Sequence, residues 1–331
     1  MKKLMFVLAA LLVAQIGFGA DWPTCMKTCR IDEPCDTSVS ASGSTYFLYR
    51  LYVSPDVPSH AKVPLVIYLH GEKDRGWNNT EQLKDEGRGI KDIIDFSEAN
   101  HIPMVLLAPQ CYPMSNSGTA KSKETNAVLA WMGVPKWSEA CWNEYYDPSN
   151  EWNYRPATSS QPMGDETRAM QYTMKVVHSL LEGTNSNCQV EIDADRIYAA
   201  GFSMGAFGVW EMLQRYPDLL AAAVPVSGGG DTEAILNAKD VPVWSYHYAG
   251  EQVVSVEMSR IMVNALKEGG HGNIRYRELS DEEFSALPKP TPETEEWSNV
   301  DYIKEKHYTY KAAFSDPVVL DWLFSQRKRS E

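Results

Sequence analysis

Basic residues are scarce in this chain, and beyond its first twenty residues it has no long apolar run. Lysine and arginine together number 31, against 44 aspartates and glutamates, for a formal charge of −13. So acidic a chain repels phosphate backbones, which argues against a nucleic-acid partner. After residue 20 no stretch reaches the ~18 consecutive apolar residues that a membrane helix needs. A soluble protein with no membrane partner is therefore expected once the leader is removed. The six cysteines never form a paired C-x2-C knuckle; Cys25, Cys29 and Cys35 are spaced otherwise, which argues against a zinc site. No internal repeat is present, so a solenoid is excluded.

What is present begins with an export leader over residues 1–20. Lys2 and Lys3 are its positive end, Leu4 to Ile16 its apolar core, and Gly17, Gly19 and Ala20 its small residues before cleavage. The expected location is outside the cell or in the periplasm. In an exported chain an even cysteine count suggests disulfides, with about 15 pairings open for six cysteines. Cys111–Cys141 is the favoured bridge, closing one long loop, while Cys25, Cys29, Cys35 and Cys188 share the others. A hydrophobic content of 44% is enough to bury a full core. Residues 21–44 read as a polar, cysteine-rich lead-in, and 45–331 as one catalytic domain.

Within that domain apolar runs alternate with helical patterns. Strands are expected at 46–53, 63–70, 103–109, 196–200, 221–227, 241–247 and 273–279, and helices within 82–100, 164–181, 206–215, 255–268 and 318–326. Val63 to His70 is almost continuously apolar, as a strand covered on both faces must be. The alternation predicts an α/β fold with a mostly parallel central sheet and helices on both faces. Residues 112–162 and 280–305 break the rhythm and read as insertions.

The densest chemical signal is Gly201-Phe202-Ser203-Met204-Gly205, a G-x-S-x-G between an apolar strand and a helix. In that context the motif is a nucleophile elbow. The glycines keep side chains out of a turn too tight to hold them, and Ser203 Oγ stands exposed at the sheet's top. A serine hydroxyl needs a base, and the base needs an orienting acid. The order along the chain is nucleophile, acid, base, so both partners must follow residue 203. Of the histidines there, His247 ends a strand and comes too early, and His271 sits on the wrong edge of the sheet. His307 lies between the last strand and the final helix, where the base belongs. Glu251, in the loop after strand 241–248, is the first candidate acid; Asp231 is its rival, and Glu257 reads as a solvated helix residue. For the oxyanion, backbone N–H groups are expected from Met204 and from Glu72, with His70 shaping the latter's loop. No metal or cofactor is called for.

At these residues the chain resembles the secreted α/β-hydrolase esterases that include feruloyl and acetyl-xylan esterases and polyhydroxybutyrate depolymerase-like enzymes. The resemblance rests on Leu69-His70-Gly71 with Arg75-Gly76, on Ala108-Pro109-Gln110-Cys111, on the elbow, and on His247-Tyr248-Ala249-Gly250-Glu251-Gln252-Val253-Val254. It covers about residues 45–110 and 164–326. It differs in having Glu at 251 where the family has Asp, and in the distance between Leu279 and His307. It implies an α/β-hydrolase fold and a serine carboxylesterase acting on feruloyl or acetyl esters of plant cell-wall polysaccharide, or on a small ester. Trp137, Trp142, Trp152 and Tyr154 of the first insertion are candidates for gripping that substrate, or for packing a satellite core. A prolyl-oligopeptidase-like peptidase, a polyester depolymerase and a non-catalytic carbohydrate-binding module are the alternative readings.

Overall fold

A computed structural model describes residues 22–34, 46–111, 131, 166–238, 240–290 and 306–328. Eight strands form one sheet: β1 (Lys27–Arg30), β2 (Leu48–Val53), β3 (Lys62–Leu69), β4 (Val105–Pro109), β5 (Glu191–Phe202), β6 (Ala222–Val226), β7 (Val243–Tyr248) and β8 (Ile274–Leu279). Their spatial order is β1-β2-β4-β3-β5-β6-β7-β8. β1 and β2 run antiparallel to their neighbours, and β3 to β8 are parallel. This is the expected mostly parallel sheet, and it brings the carboxyl ends of β3, β5, β6 and β7 to one edge.

Period-two alternation along β5 builds two cores. Ile197 and Ala199 face one side, and Tyr198, Ala200 and Phe202 the other. On the first side pack α2 (Arg168–Leu181), α3 (Met204–Arg215) and α4 (Val256–Glu268). On the second pack α1 (Ile90–Ala99), α6 (Tyr310–Phe314) and α7 (Pro317–Ser325). α2 shows why these segments are helices. Met170, Met174, Val177 and Leu180 recur at helical spacing and are buried. Thr167 Oγ1 caps the first turn by accepting from the Met170 amide at 3.2 Å, a device worth about 1 kcal/mol. α7 opens on Pro317, with Asp316 accepting from the Val318 amide at 2.9 Å.

Four expectations need correction. The lead-in is not a separate tether: its residues 27–30 pair with β2 and widen the sheet. The helix expected within 82–100 begins only at Ile90, because Asp85, Glu86, Gly87 and Arg88 all take positive φ. That backbone lets Arg88 turn inward to Asp74 and Asp85. The second insertion opens as a short helix, α5 (Asp281–Ser285), fixed by a reciprocal cap between Ser280 and Glu283. Cys25, Cys29 and Cys188 are free thiols here, so disulfides at these positions are not formed. Cys111 is buried at the end of β4, and its expected partner Cys141 lies outside the described residues. Among the described residues no helix is long and apolar enough to cross a membrane.

Candidate active site

The carboxyl edge of the sheet gathers residues far apart in sequence. Ser203 follows β5, Ser227 follows β6, and Glu251 sits in the loop after β7. Ser203 has φ 56° and ψ −124°, a conformation that L-residues rarely adopt. The surrounding packing enforces it. A Cβ on Gly205 would stand 1.8 Å from the Leu69 carbonyl oxygen, and one on Gly201 would stand 2.7 Å from the Gly205 oxygen. Only glycine lets β3 and α3 approach this closely on either side of the serine.

Ser203 Oγ lies 2.8 Å from His307 Nε2, and His307 Nδ1 lies 2.6 Å from Glu251 Oε1. A carboxylate oxygen only accepts, so the proton on Nδ1 points to Glu251, and Nε2 is left to accept from the serine. His307 and Glu251 are both buried. The histidine ring rests on Phe202, with centroids 4.5 Å apart.

Glu251 is held on every side. Ser227 Oγ donates to Oε2 at 2.7 Å, and the Val254 amide donates to Oε1 at 3.2 Å. Burial works to raise the Glu251 carboxyl. The charges of His307 and His247, with the hydrogen bonds of His307 and Ser227, outweigh that and bring it below the ordinary carboxylate value. Glu in place of Asp is accommodated by depth, since the longer side chain reaches His307 while keeping both supporting donors.

The loop after β3 lies against the serine: a Cβ on Gly71 would come 3.8 Å from Ser203 Cβ. His70 is buried beneath this loop. Its Nδ1–H donates to the Gly71 carbonyl at 2.6 Å, and its Nε2 accepts from the Cys111 amide at 2.9 Å. Those bonds define a neutral ring, and burial pulls its pKa down to about 3. Trp131 donates to the His70 carbonyl at 3.0 Å and meets the ring edge-on. At least this aromatic of the first insertion is core packing. The Gly71 amide is taken by Asp74 Oδ2 at 3.1 Å, and Asp74 Oδ1 is paired with Arg88 at 2.9 Å. Glu72 begins the short turn that follows, and Met204 is the first residue of α3, where helix amides lack an intrahelical partner. Arg75 packs on Met204, with Nε and Nη2 at 3.1 and 2.9 Å from Sδ.

The other candidates fall elsewhere. His271 Nε2 donates to the Val241 carbonyl at 2.6 Å, and Nδ1 accepts from the Asn273 amide, pinning a loop before β8. Asp231 accepts from the Glu233 and Ala234 amides and closes a turn. Glu257 pairs with Arg260 on its own helix. Trp137, Trp142, Trp152 and Tyr154 lie outside the described residues. Sequence reasoning missed Ser227. Its position straight after a parallel strand, ahead of three glycines, was the available signal.

No family model matches the chain. No curated protein matches it either. Solved structures do. A thermostable esterase is 26% identical, with a TM-score of 0.64 over 92% of this chain; the chain spans 64% of that protein's length. A ferulic acid esterase is 13% identical with a TM-score of 0.50, covering 91% of this chain and 100% of its own. An S-formylglutathione hydrolase from Agrobacterium tumefaciens is 12% identical with the same TM-score, covering 91% of this chain and 96% of its own. With the sheet order above, these likenesses establish the α/β-hydrolase fold, and the neighbours are esterases and serine hydrolases.

Proposed function

We propose that this protein is an exported serine carboxylesterase in which Ser203, His307 and Glu251 act as nucleophile, base and acid. The observation that carries the reading is the unbroken line from Ser203 Oγ through both nitrogens of His307 to Glu251, at 2.8 and 2.6 Å. In the proposed reaction Ser203 Oγ attacks the ester carbonyl carbon and its proton passes to His307 Nε2. The carbonyl oxygen takes the negative charge and accepts from the amides of Met204 and Glu72. The alcohol departs with the proton from His307, leaving an acyl-serine. Water, deprotonated by the same nitrogen, then releases the acid and restores the serine. Glu251 holds the ring tautomer and offsets the imidazolium charge at each transfer.

For the substrate we propose feruloyl or acetyl esters of plant cell-wall polysaccharide. The leader at 1–20 supports an extracellular target. The aromatic-rich stretch 112–162 supports a stacking surface, since it follows β4, whose carboxyl end lies on the edge that carries Ser203. Acid release from acetylated and feruloylated arabinoxylan tests both levels, with Ser203→Ala beside the wild type. A fall of at least about 10³-fold in the variant is expected. Equal release by both proteins would refute the serine's role, and release of neither acid would refute the polysaccharide substrate.

A further inference from the structure

The acid of this site has a second histidine behind it. His247 is the fifth residue of β7, four before Glu251, and is fully buried. Its Nδ1 lies 2.8 Å from Ser259 Oγ on α4. Its Nε2 lies 3.0 Å from the Val254 carbonyl oxygen and 3.6 Å from Glu251 Oε2. A carbonyl and a carboxylate oxygen are both acceptors, so Nε2 must carry hydrogen. Ser259 Oγ also lies 2.9 Å from the Gly228 carbonyl. The hydroxyl has one proton for these two acceptors, so at any moment it ties to α4 either the back of the ring or the Gly228 carbonyl of the loop that carries Ser227. The neighbouring Glu278, opposite His247 on β8, is engaged by Arg260 and by Tyr276, each at 2.9 Å, and does not compete for the ring.

We infer that His247 is a positioning residue for Glu251: its Nε2–H holds the Val254 carbonyl and with it the 251–254 loop, so that the inner carboxylate oxygen faces His307. This inference rests on the hydrolase reading above. Val254 links the two ends of the device. Its amide donates to Glu251 Oε1 and its carbonyl accepts from His247, so anchoring that one residue through both of its flanking peptides orients the carboxylate. Ser227 supplies the restraint on Oε2.

The two amide replacements of histidine separate donor position from bulk. Glutamine places an N–H near the former Nε2, within reach of the Val254 carbonyl. Asparagine places one near the former Nδ1, within reach of Ser259 only. Both are made in the full chain, checked by thermal melting, and assayed on a p-nitrophenyl ester and with a fluorophosphonate probe. His247→Gln is expected to keep kcat within about threefold of the wild type. His247→Asn is expected to lose about tenfold or more in kcat and in labelling rate, with KM within about threefold, because the substrate itself is not touched. Equal kcat for the two variants, or a loss confined to KM, would overturn the inference. Should neither variant fold, Ser259→Ala carries the test, with a fall in kcat at unchanged KM expected and an unchanged kcat overturning it. A wild type with neither turnover nor labelling would refute the hydrolase reading, an outcome distinct from any difference between variants.

Discussion

Acid sensitivity is where the loop beside Ser203 meets folding thermodynamics. His70 is buried, and its Nε2 must stay unprotonated to accept from the Cys111 amide. Burial lowers its pKa from 6.5 to about 3, the Gly71 carbonyl partly opposes that, and the charges of Arg75 and Arg88 add to it. Because the folded value lies below the unfolded one, the unfolded chain takes up this proton first. The contribution is complete above about pH 6.5 and is lost progressively as pH falls toward about 3. Each unit is worth about 1.4 kcal/mol, so lowering pH from 7.0 to 4.5 across the unfolded pKa removes about 2.6 kcal/mol through this one ring. That is a large part of a typical stability of about 5–15 kcal/mol. Asp74 has the opposite sign: burial raises it to about 6 despite Arg88, so its contribution falls as pH rises from about 4 to 6. The comparison that isolates His70 is the wild type against His70→Gln, which cannot titrate but can still accept from Cys111. Urea unfolding at pH 7.0, 5.5 and 4.5 should find the variant less stable by about 1–2 kcal/mol at neutrality. That deficit should close or reverse by pH 4.5. Parallel stability curves for the two proteins would refute the buried neutral histidine.

Two further outcomes follow from packing and charge. Gly205→Ala places a Cβ 1.8 Å from the Leu69 oxygen and 2.5 Å from its carbon, with only backbone to yield. A loss above about 4 kcal/mol or failure to fold is expected, and a melting temperature within about 3 °C of the wild type would contradict it. Arg88→Met removes the guanidinium from beside buried Asp74 and half-buried Asp85. Urea denaturation should show a loss of about 3–5 kcal/mol, and a change below about 1 would mean that the pair is dispensable.

Much of the fold was legible because burial on two faces writes itself into β3, β4, β6 and the second half of β5 as apolar runs. Helix positions were legible from apolar spacing, as at Met170, Met174, Val177 and Leu180. The break before Ile90 was not. Five residues in a row, 85–89, take positive φ there, with Arg88 reaching Asp74, a contact with no local pattern in the chain. β1 was missed because four residues, three of them exposed, carry too little periodicity to mark a strand.

The sequence by itself determined the elbow at Ser203 and its glycines, since steric exclusion at a tight turn acts between near neighbours. It also determined the order of the candidates after it. Position along the chain already ranked His307 above His271 and Glu251 above Asp231. Only the tertiary structure shows Ser203, His307 and Glu251 in contact, with His271 and Asp231 apart from them. What separates them is that parallel strands β5, β6 and β7 end on one edge, which brings residues 203, 227, 251 and 307 within hydrogen-bond reach and leaves the others tying loops elsewhere. Hydrogen bonds act over about 3 Å, a range far shorter than the separations along this chain that the sheet has to close.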